Sequence, residues 1–199
     1  MKRNVAILLF DEVEVLDFAG PFEVFAVTDE LRGHDTFNVF TLAESTTAVR
    51  ARNGLKVVAD YALQNQPVGT GCPAPHLLVI PGGFGTRALL EKPALLEWVR
   101  TTSQAAELTM SVCTGALVLG KAGLLDGLRA TTHHDCFDLL RQVAPRTTVV
   151  ETERFIDNGR ILTAAGISAG IDCALHVVER LLGTDAATAT ARYMEYRRA

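Results

Sequence analysis

Short apolar runs alternate with helix-like segments along the chain, and this alternation constrains the fold more than any other feature. Continuous apolar runs are typical of strands that are covered on both faces. They occupy residues 5–10 (VAILLF), 37–42, 76–80 and 108–112. Because helical segments separate these runs, the pattern predicts an α/β fold with a mostly parallel central sheet and helices on both faces.

The first helix is expected to begin at Pro21, since proline suits the first helical position and Gly20 precedes it. Asp17 would then lie in the loop between the first strand and this helix. A hairpin is predicted where the turn pair Asn53-Gly54 separates two short strands. The other predicted elements are those strands at 49–52 and 55–58, further strands at 129–132, 147–150, 154–156 and 161–164, and helices at 88–100 (with a break at Pro93), 114–120, 136–143, 169–182 and 185–196.

Length and composition indicate one domain over residues 1–199 with a sizeable core. Hydrophobic residues make up 48% and charged residues 21% of the sequence, which is close to the average for globular proteins. The net charge is −4 and Lys and Arg form no block, so the basic surface of a nucleic-acid binder is not expected. We found no repeat, linker or low-complexity segment.

The amino terminus and the cysteines indicate a cytoplasmic protein. Lys2 and Arg3 before an apolar run resemble the start of a signal peptide, but Asp11 and Glu12 interrupt the pattern. No apolar, charge-free run reaches the roughly 20 residues that a membrane helix needs. The four cysteines have no paired spacing, and we interpret them as reduced thiols: Cys72, Cys113, Cys136 and Cys173.

One cysteine stands where a strand is expected to turn sharply into a helix. In Ser111-Val112-Cys113-Thr114-Gly115 small residues stand two positions before and two positions after a nucleophilic residue, which is the form of a nucleophile elbow. A helix that begins at Thr114 would place backbone N–H groups and a positive dipole end beside the sulfur. This should lower the thiol pKa from its usual value of about 8.5. The alternative is that Cys113 is a buried packing residue, as free cysteines usually are.

Other polar or flexible residues are expected at the same edge of the sheet. Gly82 and Gly83 follow a strand, where they could simply form the turn that ends it. Alternatively, their backbone N–H groups, together with that of Thr114, face the crevice and stabilise negative charge that develops during a reaction. Asp17 is either a turn or capping residue or an acid that exchanges protons with the thiol or a substrate. The residues alone leave these alternatives open.

A cluster of His133, His134, Asp135 and Cys136 follows the strand expected at 129–132. We do not expect a metal here, because adjacent residues seldom converge on one ion and no second ligand cluster is present. Asp135 is better interpreted as a helix cap. His133 remains an auxiliary candidate that could orient or deprotonate Cys113, since both residues lie at strand ends.

These segments together resemble the ThiJ/PfpI superfamily, also called class I glutamine amidotransferase-like, over essentially the whole chain. The matching pieces are "NVAILLFDEVEVLDFAGPFEVF", "LLVIPGGFGTR", "SVCTGALVLGKAGLLDG", "ATTHH" and "GISAGIDCALHVVERLLG". Within the superfamily, "LDFAGPFEVF", "CTGALVLGKAGLL" and "AGID" are most similar to isonitrile hydratases and to the amino-terminal halves of AraC-type regulators.

The resemblance implies a flavodoxin-like three-layer sandwich that forms a homodimer and needs no cofactor. It also implies that Cys113 is the nucleophile, Asp17 its acidic partner and Thr114 an important neighbour. Protease-like members carry His at the position of Thr114, and glyoxalase and deglycase members usually carry Glu at that of Asp17. Asp172, within "AGID", receives only a structural interpretation, as a carboxylate in the first turn of its helix.

The expected activity is a cysteine-dependent hydration of an isonitrile to an N-substituted formamide through a thioimidate. Three alternatives stay open: a ligand sensor related to AraC-type regulator domains, an oxidation sensor that uses an exposed, low-pKa Cys113, and a glyoxalase or deglycase-type hydrolase. The expected partners are a small-molecule substrate and a second copy of the chain, with no nucleic acid and no membrane.

Overall fold

A mostly parallel sheet runs through the middle of the protein in this computed structural model, which describes residues 2–63 and 71–198. In chain order the strands are β1 (Arg3–Leu8), β2 (Phe37–Ala43), β3 (Val49–Arg50), β4 (Lys56–Val57), β5 (Tyr61–Ala62), β6 (Leu77–Ile80), β7 (Leu108–Val112), β8 (Arg129–Ala130), β9 (Thr148–Val149), β10 (Phe155–Asp157) and β11 (Ile161–Ala164). The central sheet has the order β10-β11-β7-β6-β1-β2-β5, and only the β10–β11 pair is antiparallel.

The helices form layers on both faces of this sheet. They are α1 (Val15–Leu31), α2 (Thr86–Leu89), α3 (Pro93–Ala105), α4 (Gly115–Lys121), α5 (Phe137–Val143), α6 (Ala169–Leu182) and α7 (Thr184–Tyr193). Alternate residues of a strand point to opposite faces. On β7, Val112 packs against Gly170 of α6, whereas the Thr109 hydroxyl donates to Ser103 of α3 at 2.9 Å. The α/β fold predicted from the alternation is therefore confirmed.

The hairpin and the helix break are confirmed, while the hairpin and two further predicted strands, 129–132 and 147–150, lie off the central sheet. β3 and β4 pair antiparallel, and Asn53 in their connection has a left-handed φ of 62°. Pro93 is the first residue of α3 and separates it from α2. β8 pairs with β9 in a separate sheet and is shorter than the predicted strand 129–132. It ends early because the Thr131 N–H donates to the Thr163 hydroxyl at 3.0 Å and not to a neighbouring strand.

The predicted start of the first helix is wrong. α1 begins at Val15, so Pro21 lies inside the helix and Asp17 lies in its first turn. Pro21 cannot donate the backbone hydrogen bond that the Asp17 carbonyl would accept. Tertiary packing outweighs this loss, because Gly20 and Pro21 are both buried and Gly20 lies directly against Ile171 of α6. The aspartate is consequently fixed by a helix and not by a loop.

None of the helices within the described residues is long and apolar enough to cross a membrane.

The end of β7 turns into α4 in a space that admits no side chain at Gly115. A Cβ atom built there would lie 2.0 Å from the carbonyl oxygen of Ile80, at the end of the neighbouring strand β6. Backbone atoms of two elements therefore meet at this point. The glycine at the end of the elbow motif is required by this close approach.

We expect Gly115→Ala to lower the free energy of unfolding by about 2–3 kcal/mol, because the added methyl group overlaps backbone that cannot move freely. Gly127→Ala is a suitable control, since Gly127 has a φ of 75° but no atom within 4 Å of an added Cβ. The control should lose only about 1 kcal/mol from backbone strain. Urea denaturation measures both values, and equal losses would contradict this explanation of Gly115.

Candidate active site

Cys113 occupies a strained position between β7 and α4. Its φ of 54° lies in the left-handed region, which is uncommon for a residue with a side chain. Hydrogen bonds hold the backbone there: its N–H donates to the Ala164 and Ala165 carbonyls at 3.1 and 2.8 Å, and its carbonyl accepts from the Thr132 hydroxyl at 2.8 Å. This geometry matches the predicted nucleophile elbow.

The carboxyl group of Asp17 lies beside the thiol in a fully buried position. Asp17 Oδ2 accepts the Gly82 N–H at 2.9 Å, whereas Oδ1 has no hydrogen-bond partner of normal geometry among the described residues. Burial, together with the smaller effect of the negative charge of Glu14, raises the pKa of Asp17 to about 7. The Gly82 N–H and the Cys113 side chain act in the opposite direction, because they favour the carboxylate. The first helix therefore brings to the thiol a carboxyl group that titrates near neutral pH.

The sulfur itself differs from the expectation of an exposed and ionised thiol. Cys113 is 5% exposed, and burial followed by the negative charge of Asp17 raises its pKa to about 12. The backbone N–H groups of Thr114 and Ile167 point at the sulfur and favour the thiolate, as the elbow predicts, but they are the smaller effect. The predicted lowering of the thiol pKa is therefore wrong, and the oxidation-sensor alternative loses its premise.

The two glycines after β6 do not provide the free donors that the sequence suggested. The Gly82 N–H is taken by Asp17, and the Gly83 N–H donates to the Thr114 hydroxyl at 2.9 Å. A Cβ atom at Gly82 would lie 2.5 Å from the Thr114 nitrogen, so the lack of a side chain permits close packing. These glycines hold the machinery together, while the N–H groups that face the sulfur belong to Thr114 and Ile167.

The Thr114 side chain is directed away from the thiol and into the loop after β6. Its hydroxyl donates to the Gly83 carbonyl at 3.1 Å while it accepts the Gly83 N–H, and Thr86 lies 3.2 Å away. The residue is 4% exposed. Thr114 thus contributes a backbone donor at the sulfur and a side chain that fixes the glycine loop.

A cavity of about 180 Å³ opens above the sulfur. Its walls combine Cys113, Thr114, Gly83 and His133 with residues that sequence reasoning did not select: Glu14, Arg52, Phe84, Arg87, Asp135, Cys136 and Ile167. Arg87 lies in the segment "LLVIPGGFGTR" that carries the resemblance, which was the available signal. Ile167 offered no such signal, because its contribution is a backbone N–H at a left-handed φ of 48°.

His133 reaches the cavity but forms no hydrogen bond with Cys113. Its Nδ1 accepts the Asp135 N–H at 3.3 Å, and its ring lies against Gly166. Burial lowers the pKa of His133, and the neighbouring His134 lowers it further, so the ring is neutral near pH 7. Orientation of the thiol in this structure comes from Asp17 and the backbone, and the auxiliary role of His133 stays a prediction.

The same histidine belongs to a group that could in principle hold a metal ion. One ligand atom each from His133, His134 and Asp135 lies within 4.8 Å of the other two. His133 Nδ1 already accepts a backbone hydrogen bond, and His134 and Asp135 are exposed. Exposed neighbours often adopt such an arrangement without an ion. The expectation of a metal-free site stays a prediction.

Asp172 lies in the first turn of α6, as predicted. Its carboxylate forms an ion pair with Arg154 and accepts the Tyr196 hydroxyl at 3.0 Å. These partners explain why a buried carboxylate is tolerated here, and they give Asp172 a structural role at the amino-terminal end of its helix.

Asp17→Asn should lower the pKa of the Cys113 thiol, because it removes the nearby negative charge but keeps an acceptor for the Gly82 N–H. Each pKa unit gives tenfold more thiolate but costs about threefold in intrinsic nucleophilicity, so alkylation by iodoacetamide near about pH 9 should accelerate about threefold per unit. Mass spectrometry of the Cys113 peptide measures the rate. Fully buried Cys173 is the internal control, and an unchanged Cys113 rate would show that the charge of Asp17 does not act on the thiol.

Comparison with known proteins places this geometry in a family. The model of the DJ-1/PfpI family matches residues 3–180. Isonitrile hydratase of Pseudomonas putida is 34% identical over 198 residues, which cover 98% of this chain and 79% of that protein. The HTH-type transcriptional regulator GbdR of Pseudomonas aeruginosa is 25% identical over 98% of this chain, which spans about half (51%) of the regulator.

A solved structure gives the same result for the fold. The crystal structure of a THiJ/PfpI family protein from Pseudomonas syringae superimposes with a TM-score of 0.86 at 28% identity, over 100% of this chain and 77% of that one. The flavodoxin-like sandwich implied by the resemblance is thereby confirmed, and the chain belongs to the DJ-1/PfpI family.

Proposed function

We propose that the protein adds water to small isonitriles and releases N-substituted formamides through a covalent thioimidate on Cys113. One observation carries the proposal: a thiol on a strained elbow shares a small cavity with a buried carboxyl group whose pKa is about 7. Covalent catalysis divides one difficult addition into two easier steps. The likeness to the isonitrile hydratase of Pseudomonas putida supports the same chemistry.

The pKa values determine which groups carry protons before the reaction. Between pH values of about 7 and 12, Cys113 is a neutral thiol and Asp17 a carboxylate. The reaction therefore begins with the carboxylate as a general base, not with a preformed thiolate. A general base is most effective when its pKa lies near the working pH, and Asp17 meets this condition.

In the first step the sulfur attacks the terminal carbon of the isonitrile, R–NC, while Asp17 takes the thiol proton. The carboxylic acid then gives this proton to the same carbon, and the product is a thioimidate, R–N=CH–S–Cys113. Asp17 is a carboxylate again. The N–H groups of Thr114 and Ile167, which point at the sulfur, stabilise the negative charge that develops there during the attack.

In the second step a water molecule adds to the thioimidate carbon. Asp17 takes one proton from the water as the oxygen bonds to the carbon, and it then gives this proton to the nitrogen, so Asp17 is a carboxylate again. The tetrahedral adduct then breaks its C–S bond, and the hydroxyl proton returns to sulfur by way of Asp17. The products are R–NH–CHO and the free thiol, so one water is consumed and no redox change occurs.

The same proposal includes a cytoplasmic location, a homodimer and independence of cofactors. Four unpaired thiols support a reducing compartment. The small cavity supports a compact substrate, since its volume of about 180 Å³ is below the range of roughly 300–1,000 Å³ that is usual for drug-sized ligands.

A ligand sensor is the second candidate, because regulators such as GbdR share the domain. A sensor binds its ligand without turnover and has no need of a carboxyl group that titrates near neutral pH beside the thiol. Product formation from an isonitrile therefore separates the two functions. Incubation with methylglyoxal tests the hydrolase alternative in the same assay.

Cys113→Ala should abolish formation of formamide from phenyl and tert-butyl isocyanide, because no covalent intermediate can form. Asp17→Asn should lower kcat by about 10²–10⁴-fold, the usual contribution of a general acid–base group. Cys173→Ala removes a thiol outside the cavity and should retain wild-type activity. Chromatography with mass spectrometry quantifies the formamide, and in D₂O the formyl carbon should carry deuterium. Full hydration by Cys113→Ala would eliminate the mechanism.

The value of kcat/KM should rise with pH through about 7, because only the carboxylate form of Asp17 can accept the thiol proton. Glu14→Gln provides a directional control, since the charge of Glu14 raises the pKa of Asp17. The variant should move the midpoint of this rise to lower pH. Initial rates from pH values of about 5 to 9 measure both profiles. A midpoint that moves upward, or stays fixed, would show that another group controls the rise.

A further inference from the structure

We propose that the isonitrile substrate carries a carboxylate on its R group and that Arg87 binds this carboxylate. The inference rests on the proposed function and names the class of its substrate. Arg87 belongs to α2, lines the cavity above Cys113 and is half-buried. It lies outside the thiol–carboxyl pair, so the proposed mechanism gives it no role.

The guanidinium group is fixed relative to the nucleophile. Nη1 donates to the Gly83 carbonyl and the Thr86 hydroxyl, both at 3.3 Å, and Nη2 donates to the Cys136 sulfur at 3.2 Å. Gly83 is in turn bonded to Thr114, the residue after Cys113. A short chain of contacts therefore connects the cation to the elbow, and the group needs little reorganisation to bind a ligand.

The charge of Arg87 has no counter-ion among the residues that the structure describes. The other arginine of the cavity, Arg52, lies 3.5 Å from Glu14, and Asp135 lies 3.0 Å from His134. Among residues 2–63 and 71–198, no carboxylate forms an ion pair with Arg87, and its hydrogen-bond partners are all uncharged acceptors. A half-buried guanidinium is stabilised when an anion joins it, and a substrate carboxylate would supply one.

The guanidinium group keeps donors that a carboxylate could use. Within the described part of the chain, Arg87 Nε–H has no acceptor and Nη2 makes one of its two possible hydrogen bonds, and these two nitrogens share one side of the guanidinium fork. The protein uses this same edge elsewhere. Arg3 donates through Nε and Nη2 to the two oxygens of Glu107 at 2.7 and 3.3 Å, and Arg100 does so to Glu97.

The remaining walls agree with a short apolar spacer between the isonitrile and the anion. Phe84 and Ile167 line the cavity and are exposed. The guanidinium carbon of Arg87 lies 5.6 Å from the centre of the Phe84 ring, close enough for a cation–π contact that helps to hold it. His133 is neutral there, in part because the charge of Arg87 disfavours a second cation. The same cavity thus presents a guanidinium group, apolar side chains and a thiol.

Turnover of matched substrates tests the proposal. For the wild-type protein, kcat/KM should be higher for an isocyano acid than for its methyl ester. The acids to compare are isocyanoacetate, isocyanopropanoate and isocyanobutanoate, and the ratio of acid to ester should be greatest at one chain length. Arg87→Met should lower that ratio about tenfold or more, mainly through KM for the acid, since bidentate ionic hydrogen bonds are lost. Arg87→Lys should lie between the two, because it keeps the charge but not the fork.

Arg192→Met on α7 is the matched control, since Arg192 is exposed and the net charge changes equally. It should leave the ratio unchanged. Activity on the esters shows whether Arg87→Met retains an intact thiol and carboxyl pair. If both substrate types are hydrated with a ratio that Arg87→Met leaves unaltered, the role of Arg87 is overturned while the proposed function stands.

If no isonitrile is hydrated, the proposed function is overturned. A binding measurement still tests whether Arg87 holds a carboxylate. Calorimetric titration of Cys113→Ala with formamidoacetate, formamidopropanoate or formamidobutanoate should give tighter binding than with the methyl esters. Adding Arg87→Met should remove this difference. Equal affinity for acid and ester in Cys113→Ala would overturn the carboxylate site.

Discussion

The burial of one carboxyl group beside one thiol determines the chemistry of this protein. Within the described residues Asp17 has a single hydrogen bond of normal geometry, from the Gly82 N–H at 2.9 Å, and this is too little to offset the loss of water. Its pKa therefore rises to about 7, while burial of the sulfur and the charge of Asp17 raise the pKa of Cys113 and keep its proton in place. In the proposed mechanism the pair moves one proton between two poor acids, which suits the addition of both sulfur and water to the same carbon.

Sequence reasoning reached the architecture and the sharp bend at Cys113 because both depend on local pattern. Apolar runs separated by helical segments specify a parallel sheet, and small residues around Cys113 specify a sharp bend. The Pro93 break and the Asn53-Gly54 turn were likewise visible, since proline and the Asn-Gly pair act on the adjacent backbone. Pro21 was misjudged for the opposite reason: contacts of α1 with α6 extend the helix through a residue that locally disfavours it.

The electrostatic state of the site could not be predicted in the same way. The elbow motif indicates N–H groups near the sulfur, and those of Thr114 and Ile167 are indeed there. Whether they lower the thiol pKa depends on how much water reaches the sulfur and on which charges face it. Those quantities come from segments far apart in the sequence. The same is true of Gly82 and Gly83, whose N–H groups were candidates for stabilising developing negative charge but are used by Asp17 and Thr114.

Four separate segments of the chain contribute to the site. They are the first helix with Asp17, the end of β6 with Gly82, the end of β7 with Cys113 and the segment after β11 with the Ile167 N–H. Such non-local contacts form late in folding, because long stretches of chain must be ordered before they are made. In the unfolded chain the sulfur is an ordinary thiol with a pKa of about 8.5, more readily ionised than in the native protein. Completion of the fold thus suppresses ionisation of Cys113 at the moment when it brings the Asp17 carboxyl group beside the sulfur.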